Sequence, residues 1–225
     1  MATIRTAFER AIGVVCDDLL RLSSKADQAI AESILALSER SADRARQVST
    51  SDAALNELRY AIEEECYRLI ATQQPNATDL RTLVGAVSVA TNLERIGDHA
   101  AGIARLTLRM VDQPLLKPLV DIPQMAESGR DMVKKSVESF VKHDAALALR
   151  VVQRDKEIDR LHNQVYHDLL DFMTRDVATI ERATYLLWVS HNLERIGDRS
   201  TNICERAIYL VTGELKEFSS SDPPA

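Results

Sequence analysis

The heptapeptide Asn92-Leu93-Glu94-Arg95-Ile96-Gly97-Asp98 recurs unchanged as Asn192-Leu193-Glu194-Arg195-Ile196-Gly197-Asp198. A repeat of that length means two copies of one structural unit, and any fold for the chain has to accommodate both. The surroundings repeat as well. Upstream, Ser51-Asp52-Ala53-Ala54-Leu55-Asn56-Glu57-Leu58 matches Arg154-Asp155-Lys156-Glu157-Ile158-Asp159-Arg160-Leu161, with about three residues more between the two motifs in the first half.

The composition says what kind of unit this is. Gly and Pro together make up only 13 of 225 residues, aromatic residues are 4%, and Ala, Leu, Arg and Glu are abundant. Such a chain is all-α. Breakers then divide each half into three helices. The polar run 38–43 and the stop Gln73-Gln74-Pro75-Asn76 delimit helices at about 3–38, 41–72 and 77–111, with Asn76 as an N-cap and Asp79 three residues on. The second half gives helices at about 124–142, 144–174 and 177–212, with Asp144 and Asp176 as N-caps and Gly213 as C-cap. Prolines between Gln113 and Pro123 mark the linker. The expected architecture is two tandem antiparallel three-helix bundles: a first repeat over 1–112, a linker over 113–123, a second repeat over 124–213 and a flexible tail over 214–225.

Acidic residues fall where a bundle interior is expected. Val151, Asp155, Ile158, His162, Val165, Leu169 and Phe172 recur at alternating spacings of four and three, the pattern of an inward stripe, and so do Val48, Asp52, Leu55, Arg59, Ile62, Cys66 and Leu69. Asp155 and Asp52 therefore sit among apolar side chains, which is costly for a carboxylate with no partner. Glu94 and Asp98, Glu194 and Asp198, and Asp155 and Asp159 are i,i+4 pairs of like charge that gain nothing by themselves. Two helices each presenting such a pair can converge several oxygens on one divalent or trivalent cation. Gly97 and Gly197 interrupt their helices where Ala would be better by about 1 kcal/mol, which fits a close approach by another backbone or by a metal-ligand assembly. Competing readings are solvated faces and salt bridges with Arg59, Arg95 and Arg195. His162 and His191 read as satisfied core or edge histidines, since the first half has Arg59 and Thr91 in their places, and Arg95 and Arg195 read as surface ion-pair formers.

Charge and compartment narrow the partners. The net charge is −6, without a dense Lys/Arg block, which disfavours nucleic acid. The first nine residues, Met1 to Glu9, resemble no secretory signal, and uncharged stretches such as Thr82 to Leu93 are too short to span a bilayer, so a cytoplasmic protein is expected. Cys16, Cys66 and Cys204 have no CxxC spacing and read as buried thiols.

Two three-helix units, each with an upstream Asp-x-x-x-Asp/Asn and a downstream Leu-Glu-Arg-Ile-Gly-Asp, resemble the PhoU family over nearly the whole chain, from about residue 3 to 212. The resemblance implies a cytoplasmic, homodimeric negative regulator of phosphate uptake and of the phosphate-starvation response. It implies partners too: the ATPase subunit of a phosphate ABC transporter and a phosphate-sensing histidine kinase, with membrane association only through them. Family members bind multinuclear metal clusters of iron or zinc through such acidic motifs, and manganese or magnesium also suit oxygen ligands. Carried onto this chain, the ligands are Asp52, Glu94 and Asp98 in the first half and Asp155, Asp159, Glu194 and Asp198 in the second. These seven contribute −7, so the rest of the chain sums to +1. Asn56 stands where the second half has Asp159, which predicts unequal sites.

Two other functions compete. An oxidase of the ferritin-like kind would use Glu-x-x-His on two helices, a spacing this sequence lacks, and a phosphatase would need a nucleophile or base duplicated beside the acids. A metal-free structural bundle is the remaining alternative.

Overall fold

Among the described residues seven α-helices carry the chain: α1 (Ala2–Glu39), α2 (Ala42–Thr50), α3 (Asp52–Gln73), α4 (Ala77–Met110), α5 (Asp121–Val141), α6 (Ala145–Arg175) and α7 (Ile180–Thr212), with one 3-10 turn at Val177–Thr179. The computed structural model describes residues 2–50 and 52–218, without the side chains of residues 2–4 and Asp52. Among the described residues there is no strand, as the composition requires. The segment expected as one helix over 41–72 is α2 and α3, which flank position 51.

Local chemistry sets the helix ends. Asn76 Oδ1 accepts from Asp79 N (3.0 Å), and Asp144 Oδ1 accepts from Leu147 N (2.8 Å), each satisfying one of the first-turn N–H groups that a helix leaves unpaired. Asp176 Oδ1 accepts from Ala178 N, so it caps the 3-10 turn, and α7 itself starts at Ile180, three residues later than expected. Conversely α5 starts at Asp121, before the expected 124, and places Pro123 in its first turn. Proline is tolerated there because its missing N–H would have had no intrahelical partner. Gly213 closes α7 at φ 76°, the left-handed cap that glycine adopts without strain.

The two halves share a further closure. α1 and α5 both end on a non-glycine residue at positive φ, Arg40 (51°) and His143 (54°). In each, the next residue's N–H returns five residues back: Ser41 N to Ala36 O (2.9 Å) and Asp144 N to Ser139 O (2.8 Å). Carbonyls that would otherwise be orphaned are satisfied at both sites, at the cost of an unfavourable backbone region.

The first bundle is α1, α3 and α4, with α2 laid across α1 and α4; the second is α5, α6 and α7. They meet where α4 packs on α7 and α1 on α5. Leu19, Ile30 and Leu93 of the first half and Met125, Phe140 and Ile196 of the second belong to one contiguous apolar core. α4 and α7 run antiparallel, since Asn92 pairs with Asn202 (3.5 Å) while His99 pairs with Asn192 (3.0 Å). Small residues on both, among them Ala90, Ala100, Ser190 and Ser200, are buried and allow the two central helices to approach closely. At the second seam Arg130 of α5 grips Asp27 of α1 with two hydrogen bonds, Nε to Oδ1 at 2.7 Å and Nη2 to Oδ2 at 3.0 Å. Burial works to raise the Asp27 pKa, but Arg130 and Lys134 outweigh it and hold the carboxyl below its ordinary value.

The segment after α4 is tied down: Arg40 donates to Gln113 O (3.2 Å), Arg182 donates to Pro114 O (3.1 Å), and Lys117 bridges Asp121 and Asp168. After α7 the chain turns back. Phe218 N donates to Glu205 Oε1 (2.9 Å) and its ring packs on the core, so the expected fraying does not extend to Phe218; residues 219–225 lie outside the described residues.

Candidate metal centre

The stripe on α6 forms as the spacing predicts. Val151, Asp155, Ile158, Val165 and Leu169 are all buried, with Asp155 only 5% exposed. Asp155 is packed directly over α7: a Cβ on Gly197 would stand 2.5 Å from Asp155 Oδ1 and 3.2 Å from Ile158 Cδ1. Gly197 is therefore glycine because the carboxylate occupies the volume of its side chain. In the first half the same position serves apolar packing, since a Cβ on Gly97 would stand 2.6 Å from Leu55 Cδ1. The close approach expected at both glycines is thus made by side chains, a leucine in one half and an acid in the other.

Four acids face one another between α6 and α7. Burial first, then the charges of Asp159, Asp198 and Glu194, push the Asp155 carboxyl up to about 7. Asp155 Oδ1 and Glu194 Oε2 are buried without a hydrogen-bond partner among the described residues, and so is Thr201 Oγ1. Buried acceptors are nearly always satisfied in folded proteins, so two such carboxylate oxygens in one cluster of acids call for a proton, a water or a cation. Two histidines border it. His191 Nδ1 lies 3.1 Å from Glu194 Oε2 but off the hydrogen-bonding direction, and His162 Nδ1 meets Ser190 Oγ at 3.0 Å. The rings are 6.2 Å apart, and burial keeps the His162 pKa below its ordinary value.

Glu94 and Asp98 share a face of α4, as Glu194 and Asp198 share one of α7, with Glu94 the more buried of its pair. The side chain of Asp52, the other ligand expected there, lies outside the described residues. Around the first-half acids stand different neighbours: Arg59 pairs with Glu63 at 2.5 Å and stacks on Tyr60 at 4.0 Å, while Thr91 Oγ1 is 3.5 Å from Glu63 Oε1. In both motifs the arginine turns back on its own acids, Arg95 Nη1 to Asp98 (3.3 Å) and Arg195 Nη1 to Asp198 (3.0 Å), the surface ion pairs expected of them.

Among the described residues no three acids, histidines or cysteines stand close enough to hold a metal ion as they are. Like charges without a counterion separate, and a bound cation reverses that sign. Sequence reasoning placed the acids and read His162 and His191 as satisfied core or edge histidines; His162 is met by Ser190, and both rings stand at the edge of the cluster. The cysteines do not compete as ligands: burial pushes the Cys66 thiol up to about 12 and the Cys204 thiol higher than its ordinary value as well.

No helix among the described residues is long and apolar enough to cross a membrane. The PhoU domain model matches this chain twice, over residues 19–107 and 122–207, one copy in each half. The phosphate-specific transport system accessory protein PhoU homolog of Clostridium acetobutylicum is 35% identical over 216 residues, 96% of this chain and 99% of that protein. The Aquifex aeolicus protein of the same description is 35% identical over 199 residues, covering 88% of this chain and 90% of its own. The crystal structure of PhoU from Pseudomonas aeruginosa superposes with a TM-score of 0.87 at 32% identity, over 92% of this chain and 100% of that one. That of the phosphate transport system regulatory protein PhoU from Streptococcus pneumoniae gives 0.88 at 30% identity, over 94% and 100%. With the family's domain matched in both halves and its solved structures superposing over nearly the whole length, the chain belongs to the PhoU family.

Proposed function

We propose that this protein is a non-enzymatic negative regulator of phosphate uptake and of the phosphate-starvation response. It acts in the cytoplasm as a homodimeric helical adaptor between the ATPase subunit of the phosphate ABC transporter and a phosphate-sensing histidine kinase. The observation that carries the reading is the full-length relationship to proteins described as phosphate-specific transport system accessory proteins.

The donor chemistry of the second half suits a metal ion, although the acids would have to draw together to hold one. Asp155, Asp159, Glu194 and Asp198 come from two helices, and Asp155 Oδ1 and Glu194 Oε2 are buried acceptors without a well-formed hydrogen bond among the described residues. Iron or zinc suits this set best, because His162 and His191 add nitrogen donors at its border; manganese or magnesium would use the oxygens alone. A bound cation would offset the repulsion that raises the Asp155 pKa and would cross-link α6 to α7. In the first half Asp52, Glu94 and Asp98 are the ligands, with Asn56 in place of a fourth acid. One observation favours a metal-free alternative: Arg95 and Arg195 already partly neutralise Asp98 and Asp198.

The test is a phosphate-starvation reporter in a strain deleted for this protein and grown in high phosphate. Expression is expected to rise, and to return to its low level with the wild-type chain. Unchanged expression on deletion would overturn the regulatory reading. If Glu194→Ala/Asp198→Ala restores repression as well as wild type, the acid cluster serves something other than regulation.

A further inference from the structure

The repeat makes one end of the α4/α7 seam comparable with the other. At the second-half end, Glu205 of α7 holds the backbone N–H of Phe218, so the chain's own returning segment is laid against that helix. The residue at the matching position of α4 is Arg105. Among the described residues no segment returns to it in this way: the chain leaving α4 is drawn instead towards α7 by Arg182, at Pro114. Beside Arg105 lies an open groove of about 350 Å³, lined by Gly102, Arg105, Arg109, Tyr185, Trp188 and Asn192 among others.

Its chemistry is specific. Arg105 and Arg109 are both exposed, and neither has an ion-pair partner among the described residues, although acids outnumber bases in this chain by 34 to 28. Arg109 lies over the Tyr185 ring at 5.9 Å, and Trp188, the chain's single tryptophan, is 54% exposed. An exposed tryptophan beside unpaired guanidinium groups is the residue set that dominates protein interfaces. Gly102 forms the floor; a Cβ there would stand 3.0 Å from Asn192 Oδ1, so glycine keeps the groove clear. At the other end Asn202, Ser88 and Gly85 occupy the positions matching Gly102, Trp188 and Tyr185.

We propose that this groove docks an extended acidic segment of a partner protein, its carboxylates on Arg105 and Arg109 and its apolar parts on Trp188 and Tyr185. The strap held by Glu205 shows that the repeat's geometry accepts a returning chain at this position, and Arg105, standing where α7 has Glu205, presents a cation that an acidic segment complements. The groove contains none of the clustered acids but adjoins the second-half cluster, since Trp188 meets His191 edge to face at 5.7 Å; the titration that tests it is therefore made on metal-free protein.

Trp188 reports on the groove directly. The full-length protein is titrated with a labelled, end-blocked twelve-residue peptide of alternating Asp and Ser, following both Trp188 emission and peptide anisotropy. Saturable binding is expected that weakens with added salt and falls at least tenfold in Arg105→Glu/Arg109→Glu. Arg21→Glu/Arg46→Glu, with the same change in net charge on exposed arginines elsewhere, should bind as wild type, and the groove variant should bind a Lys/Ser peptide instead. Equal losses in the two double variants, or no saturable binding, would overturn the proposal. So would emission that responds to inorganic phosphate or ATP and not to the peptide, which would make the groove a small-anion site. A change with protein concentration alone would assign the groove to a second copy of this chain and would equally overturn it.

Discussion

The two halves hold the same heptapeptide on the same face of the same helix, yet they surround it differently. In the second half Asp155 is buried over Gly197, Asp159 adds a fourth acid, and His162 and His191 stand at the border. In the first half Leu55 covers Gly97, Asn56 replaces Asp159, and Arg59 and Thr91 replace the histidines, with Arg59 already paired to Glu63. The backbone scaffold has been kept while the local charge has diverged. Both halves set a motif arginine against their acids, but the first adds Arg59 nearby while the second adds acids. A repeat can thus preserve the position of a cluster while changing its charge.

That contrast can be broken at Asp155, where the largest effect is expected. Its folded pKa of about 7 lies above its ordinary value near 3.8, so the folded state binds the proton more tightly than the unfolded one. Metal-free protein should therefore lose stability as pH rises from about 4 to about 7, by an amount on the order of 2–4 kcal/mol. Asp155→Asn should remove most of that slope, raise stability at pH 8 and weaken second-half metal binding; chemical denaturation across pH measures it. A wild-type stability that is flat over this range would show that the acid is already compensated.

The contrast can be sharpened from the other side. Asn56→Asp gives the first half its missing acid and should raise metal affinity there by about tenfold, near 1.4 kcal/mol, in a calorimetric titration. The glycines give the smallest effects. Gly97→Ala meets only the tip of Leu55, and the helix gain of about 1 kcal/mol largely offsets repacking. Gly197→Ala collides with the Asp155 carboxylate and should cost about 1 kcal/mol net while lowering second-half metal affinity, so thermal melts and titrations should show a loss for Gly197→Ala and little change for Gly97→Ala.

Much of this was legible in the sequence because it was local or repeated. The doubled heptapeptide implied two units, the 4/3 spacing put Asp155 inside, and Asn76, Asp144 and Gly213 announced their caps. What was hidden depends on contacts between distant segments. Spacing showed that something approaches Gly97 and Gly197, but whether it was leucine or carboxylate depends on how α3 and α6 are set against their neighbours. Pro123 read as linker because a first-turn proline and a loop proline look alike in sequence. The groove at Arg105 and the docking of Phe218 on Glu205 arise only when α4 lies against α7 and the chain folds back.

The central claim is that the acid clusters hold metal and hold it unequally. Elemental analysis of protein purified without chelator, beside Glu94→Ala/Asp98→Ala and Glu194→Ala/Asp198→Ala, tests it most directly. The account predicts bound transition metal in wild type, a smaller loss in the first variant and a larger one in the second, with helicity unchanged in all three. Three preparations equally helical and equally empty, even after reloading with iron or zinc, would contradict it.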